Sequence, residues 1–334
     1  MSYNQLKNLV EIDSPSGFTH KAAKYVSEVL SAYGRVPKFT NKGAVKCALG
    51  ENPRLSIAAH IDTLGAVVSH IKSDGSLEIS KVGGLSLNGF EGGYCRIYTL
   101  ENQIYTGTLL LNNPAAHVNK ELNSKQRKLE NMHIRLDELT TSAAETRALG
   151  IEVGDFICFD TNYQELPSGY IKSRFMDNKA SCYVLFEVAR RLRGKNLPVE
   201  LFFSNYEEVG HGGTCGYASS TEELLVLDMG VVGEHHTGKE TTCSICAKDG
   251  AGPYDYEMRK TLIQLAKKHD IPYCVDVYKY YSSDGSAAMR AGNDFRVALI
   301  GPGVSASHGV ERTHKHGIEA TIELCLKYIE DKFA

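Results

Sequence analysis

The sequence predicts an α/β protein interrupted by a β-rich insertion. Over the first 65 residues and again from 168 to 334, short apolar runs alternate with stretches at helical spacing. Between 66 and 167, apolar–polar alternation broken by glycine turns takes over. The third observation is Leu201-Phe202-Phe203-Ser204-Asn205-Tyr206-Glu207-Glu208-Val209-Gly210, an apolar run that stops at two adjacent carboxylates. In open α/β sheets, ligands collect just beyond such strand ends.

The elements follow in order. Leu6, Leu9 and Val10 give one helical face over 4–12, ended by Ser14-Pro15-Ser16-Gly17. Thr19 is placed to cap a second helix that buries Ala22, Tyr25, Val26, Val29 and Leu30. Strands over 44–49 and 54–59 follow, the second running into His60-Ile61-Asp62, whose first and last residues share a face on extended chain. The insertion reads as strands over 67–71, 77–82, 94–98, 104–111 and 156–159, with one helix over 142–149. Its stretch 120–130 is strongly polar and reads as a mobile excursion, while His117 and His133 carry no motif. Beyond the insertion, Asp177 stands where a strand-like segment meets a helix over 180–192, which read alone makes it an N-cap. Strands over 199–204 and 223–227 come next, the latter ending at Asp228. A helix over 254–269, a strand over 273–277 and a short helix over 287–291 precede the strand 295–300. The last helix, 315–332, buries Ile318, Ile322, Leu326 and Ile329.

Composition excludes several classes. The net charge of −3 leaves no electrostatic footprint for nucleic acid. No run approaches the length of a membrane span, and the N-terminal stretch lacks the apolar core of an export signal. Nine scattered cysteines then read as reduced thiols in a cytoplasmic protein, and Cys243-Ser244-Ile245-Cys246 lacks the second pair that a zinc finger needs. No phosphate-loop or dinucleotide glycine pattern is present.

The strand-end acids and histidines form an ordered set: His60, Asp62, Asp177, Glu207, Glu208, Asp228 and His308. Imidazole and carboxylate donors without thiolates suit a divalent ion such as zinc, cobalt or manganese. Two histidines and three carboxylates can hold two ions if one carboxylate bridges, and such a pair activates a shared water. One glutamate of the adjacent pair then remains free to take the water proton and pass it to a leaving amine.

The order His-x-Asp, Asp, Glu-Glu, Asp, His resembles that of the co-catalytic dinuclear aminopeptidases. The long insertion between Asp62 and Asp177, and Glu207-Glu208-Val209-Gly210-His211-Gly212-Gly213, resemble the M42 family of glutamyl and tetrahedral aminopeptidases. Ser283-Asp284-Gly285 sits where that family has threonine-aspartate-alanine. The resemblance implies a mixed-sheet α/β/α zinc-peptidase-like catalytic domain (1–65 and 168–334). Residues 66–167 would be a PDZ-like or β-barrel dimerisation domain. It implies two divalent ions per subunit, zinc foremost with cobalt or manganese possible. His60 and Asp228 would hold one, Glu208 and His308 the other, and Asp177 would bridge them. Glu207 would be the general base and Asp62 the acid that orients His60. A cis peptide is implied at Asp177–Asn178. Peptide substrates and a homo-oligomer between a dimer and a dodecamer complete the expectation. The sequence departs from the family wording at Thr63, Asn178, Lys179 and Gly230–His236, removing no ligand. Deacylation of small N-acyl compounds on the same two ions is the alternative.

Overall fold

Leu55–His60, Val199–Ser204 and Glu223–Leu227 are buried at every position, as uninterrupted apolar strands must be when both faces of a sheet are covered. The computed structural model, which describes residues 2–333, sets them side by side and parallel. They lie inside a twelve-stranded sheet whose main path runs Lys38–Phe39, Val45–Ala48, Val199–Ser204, Leu55–His60, Glu223–Leu227, Arg296–Ser305, Glu311–His314, Tyr170–Ser173 and Gln164–Glu165. Gly230–Val232 and Cys243–Lys248 pair with Arg296–Ser305, and Tyr273–Val277 pairs with Cys243–Lys248. The sheet is therefore mixed, parallel at its centre and antiparallel toward both sides.

Alternation along the strands divides the core. Ile57, Leu201 and Leu225 join one apolar cluster with Phe186, Leu262 and Ile322 from the helices. Their neighbours Ala58, Phe202 and Val226 join a second cluster with Tyr254 and Ala288. Helices Met176–Arg191 and Lys315–Phe333 are nearly all buried on one side, which is why their sequences read as apolar around much of the circumference.

Residues 2–63, 162–307 and 311–333 make up this α/β unit, whereas Leu64–Thr161 and His308–Val310 form a second one. In the second, six antiparallel strands close into a barrel in the order Gly65–Ile71, Leu77–Val82, Met132–Leu136, Ile104–Leu111, Tyr94–Tyr98 and Phe156–Phe159. Val68, Ile79, Ile97, Leu109, Ile134 and Ile157, one from each strand, are buried in it. His133 sits on a barrel strand and meets Asn112 Oδ1 at 3.0 Å, while His117 is exposed.

Several elements differ from the sequence expectation. Met132–Leu136 and Cys243–Lys248 are strands that the sequence reading passes over, since their apolar residues are interleaved with His, Arg, Ser and Cys. The helix expected from residue 180 starts at Met176, with Asp177 and Asn178 outside helical geometry. Thr19 occupies the N-cap position without a side-chain bond, and Ala23 N–H instead meets the Thr19 carbonyl at 2.9 Å. At the helix Tyr256–Lys268, Asp255 is the cap and accepts from Met258 N–H at 2.8 Å.

Phe186 and Phe203 stack 5.5 Å apart between helix and sheet. Phe186→Ala should lower unfolding free energy by about 3–5 kcal/mol in a denaturant titration.

Candidate metal and catalytic site

Strand register builds the site. Ser204 pairs with His60 in parallel, so the two motifs that follow these residues emerge from adjacent strand ends. On the other side Val226 pairs with Ala58, which brings Asp228 level with His60.

His60 is buried, with Nδ1 3.0 Å from the Asp62 main-chain oxygen and 3.6 Å from Asp62 Oδ1. That contact leaves Nε2 facing the site, 3.3 Å from Asp177 Oδ1 and 3.7 Å from Glu207 Oε2. The Asp62 carboxylate is turned mainly to other donors. It accepts from Ser16 Oγ, and its two oxygens take the main-chain N–H groups of Glu207 and Glu208, each at 3.2 Å. Burial opposes its ionisation, yet these bonds and His60 hold its pKa below the usual carboxylate value.

Asp177 sits between Phe175, which has φ 66°, and a cis peptide to Asn178, as the resemblance implied. Its N–H donates to Glu311 Oε2 at 3.0 Å, and Asn178 Nδ2 donates to the Leu227 carbonyl at 2.9 Å, next to Asp228. Lys179 is fully buried and donates to Ser14 Oγ at 2.6 Å. Burial lowers its pKa to about 8. This lysine is thus tied into the scaffold and is not a surface charge offered to an acidic substrate.

Tyr206, with φ 73°, turns the chain between the strand end and the Glu207–Glu208 pair. The Glu207 side chain is 12% exposed. Burial, together with the neighbouring carboxylates, raises the pKa of Glu207, Glu208 and Asp228 well above normal. For His60, burial favours the neutral ring, but Glu207, Asp177, Asp62 and Asp228 outweigh it and raise the pKa. Carboxylates that oppose one another's charge in a buried space call for a cation. One ligand atom each from His60, Asp177 and Asp228 lies within 4.8 Å of the others. A hard or borderline divalent ion fits this oxygen and imidazole donor set.

Six of the seven sequence candidates therefore converge in the α/β unit. His308 lies on the short segment that belongs to the barrel unit, with φ 62° and Nδ1 3.0 Å from the Gly84 carbonyl.

A family model described as M42 glutamyl aminopeptidase matches residues 43–324. The chain belongs to the M42 family. A Bacillus subtilis (strain 168) protein named as an aminopeptidase, YhfE, is 42% identical over 332 residues, covering 97% of this chain and 96% of its own. Among solved structures, aminopeptidase APDkam598 from the archaeon Desulfurococcus kamchatkensis superposes with a TM-score of 0.88 at 23% identity, covering 98% of this chain and 94% of its own. The Pyrococcus horikoshii TET1 peptidase gives 0.86 at 20% identity, with 98% of each chain covered. The fold is that of the M42 and TET aminopeptidases, and the chain is an aminopeptidase-type hydrolase.

Other residues around this M42 site escaped the sequence reading. Ser16 and Ser14 lie in what reads as a helix-ending turn, and Tyr281, which donates to the Met229 carbonyl at 3.1 Å beside Asp228, lies in a serine-rich loop. Only pairing with the ends of distant strands gives them meaning.

Asp62→Asn puts an amide where one of the two glutamate N–H groups needs an acceptor. The variant should lose about 1–3 kcal/mol in thermal unfolding, the cost of one buried donor left unmet, and lose activity along with it.

Proposed function

We propose that this M42-family chain removes N-terminal residues from peptides, using two divalent ions and Glu207 as general base. The observation that carries the reading is the buried group of His60, Asp177 and Asp228, with Glu207 Oε2 3.7 Å from His60 Nε2. By family resemblance His60 and Asp228 would hold one ion, Glu208 and His308 the other, and Asp177 would be shared between them. Zinc is the first candidate, with cobalt or manganese able to replace it. The bound ions supply Lewis acidity toward the scissile carbonyl and toward water.

The chain's own groups do the rest. Glu207 takes a proton from the attacking water and returns it to the departing amine, and a raised carboxylate pKa suits a group that must do both. Asp62 holds the Glu207 and Glu208 amides and faces His60 Nδ1, so it sets the direction of base and ligand together. The nine cysteines are thiols and not disulfides, which fits work in the reducing cytoplasm. TET1 from Pyrococcus horikoshii assembles into a tetrahedron or a large octahedral shell. We take this chain to self-associate as well, through the insertion at 66–167.

Glu207→Gln should cut kcat/KM by about 10²- to 10⁴-fold while metal content, read by elemental mass spectrometry, stays at the native level. Full activity in that variant would falsify the assignment of the base. A chelator should abolish hydrolysis of aminoacyl p-nitroanilides, and zinc, cobalt or manganese should restore it. Faster turnover of N-acyl amino acids than of substrates with a free α-amine would turn the reading toward deacylation.

A further inference from the structure

Asp284 is a buried carboxylate, 1% exposed, outside the ligand set and the base proposed above. It opens the helix Asp284–Arg290, and its carboxylate touches both ends of the catalytic turn. At the start of the turn, Ser204 Oγ, on the last residue of the strand that leads to Glu207, donates to Asp284 Oδ2. At its return, Gly212 and Gly213 pack directly on Asp284. A Cβ on Gly212 would fall 2.6 Å from Asp284 Oδ1 and 2.6 Å from Glu207 N. On Gly213 it would fall 2.6 Å from Asp284 Cβ. Side chains are excluded at both positions by this approach, which accounts for the glycine pair.

Asp284 is itself anchored. Ser283 caps the helix through Gly285 N–H, at 3.1 Å, and Ser283 N–H donates to Ser286 Oγ at 2.9 Å. The hydroxyl of Tyr254 meets Ser283 Oγ at 2.7 Å and donates to Asp249 Oδ2 at 2.8 Å, and Asp249 is completely buried. A chain of buried hydrogen bonds thus fixes the residue that meets the turn, separately from the Asp62 amide contacts.

We propose that Asp284 is a positioning residue that clamps the two ends of the Glu207–Glu208 turn and so fixes the aim of Glu207. The inference rests on the reading of Glu207 as general base. Misplacing a catalytic group by about 1 Å costs on the order of 10²-fold in rate, so the clamp acts on kcat and not on substrate affinity.

The test is steady-state kinetics on Asp284→Ala, Asp284→Asn, Ser204→Ala and the double variant Ser204→Ala/Asp284→Ala, with Glu207→Gln assayed alongside. Asp284→Ala should lose about 10- to 100-fold in kcat, with KM and metal content at native values. Asp284→Asn keeps an acceptor for Ser204 and should recover most of that loss. The double variant should be no slower than Asp284→Ala alone, since both changes remove one contact. Native kcat in Asp284→Ala, or a loss that appears in KM or in metal content instead, overturns the proposal. If Asp284→Ala does not fold, Ser204→Ala decides, because it removes the same bond from the other partner, and native kcat there is again fatal. An inactive Glu207→Gln beside an unaffected Asp284→Ala sinks this inference alone, whereas an active Glu207→Gln sinks the reading beneath it.

Discussion

The carboxylate of Asp62 is the contact on which the site depends. A turn that follows a strand end has no ladder partners for its main-chain N–H groups, and in a buried place each must still find an acceptor. Asp62 supplies one to Glu207 and one to Glu208, takes a third bond from Ser16 Oγ, and faces His60 Nδ1. The segment before the second helix, the end of one strand and the turn after its neighbour are thereby joined at one buried side chain. Replacing any donor disturbs the others, because charge-assisted bonds in a dry setting support one another.

Charge is the second constraint. Burial raises the proton affinity of Glu207, Glu208 and Asp228, and the charge of Asp177 adds to it at all three. Lys179, a buried cation, is spent on Ser14, whose hydroxyl in turn donates to the Ile61 carbonyl at 3.1 Å. It braces the His60–Asp62 segment from behind and leaves the carboxylates to a metal. Such crowding costs stability, and it is retained where function needs the groups.

Legibility in the sequence followed physical range. The central strands were readable because apolar runs buried on both faces have no other reading at that length, and their ends were readable because His60, Glu207 and Asp228 break those runs abruptly. Cys243–Lys248 was missed because cysteine and serine in its centre hide a strand whose burial comes from neighbours far along the chain. Asp177 looked like a cap because local sequence cannot show that the helix begins one residue earlier in non-helical geometry. The contacts of Ser16, Lys179 and Asp284 were beyond reach for the same reason: each acts through a partner at least 46 positions away.

The interruption at residues 64–161 bears on how the chain finds its fold. Leu55–His60 must pair with Val199–Ser204, so the central parallel pair closes a very long loop before it gains a contact. Loop-closure entropy grows only slowly with length, by about 0.6 kcal/mol per doubling, but the search it imposes is slow. The barrel has antiparallel neighbours close in sequence, Gly65–Ile71 with Leu77–Val82 and Tyr94–Tyr98 with Ile104–Leu111. Once closed, it draws Leu64 and Thr161 into one compact body and shortens the path between the two halves of the sheet. The insertion thus gives the chain an internal splint, two of whose strand pairs are local, that shortens the loop the central parallel pair must close.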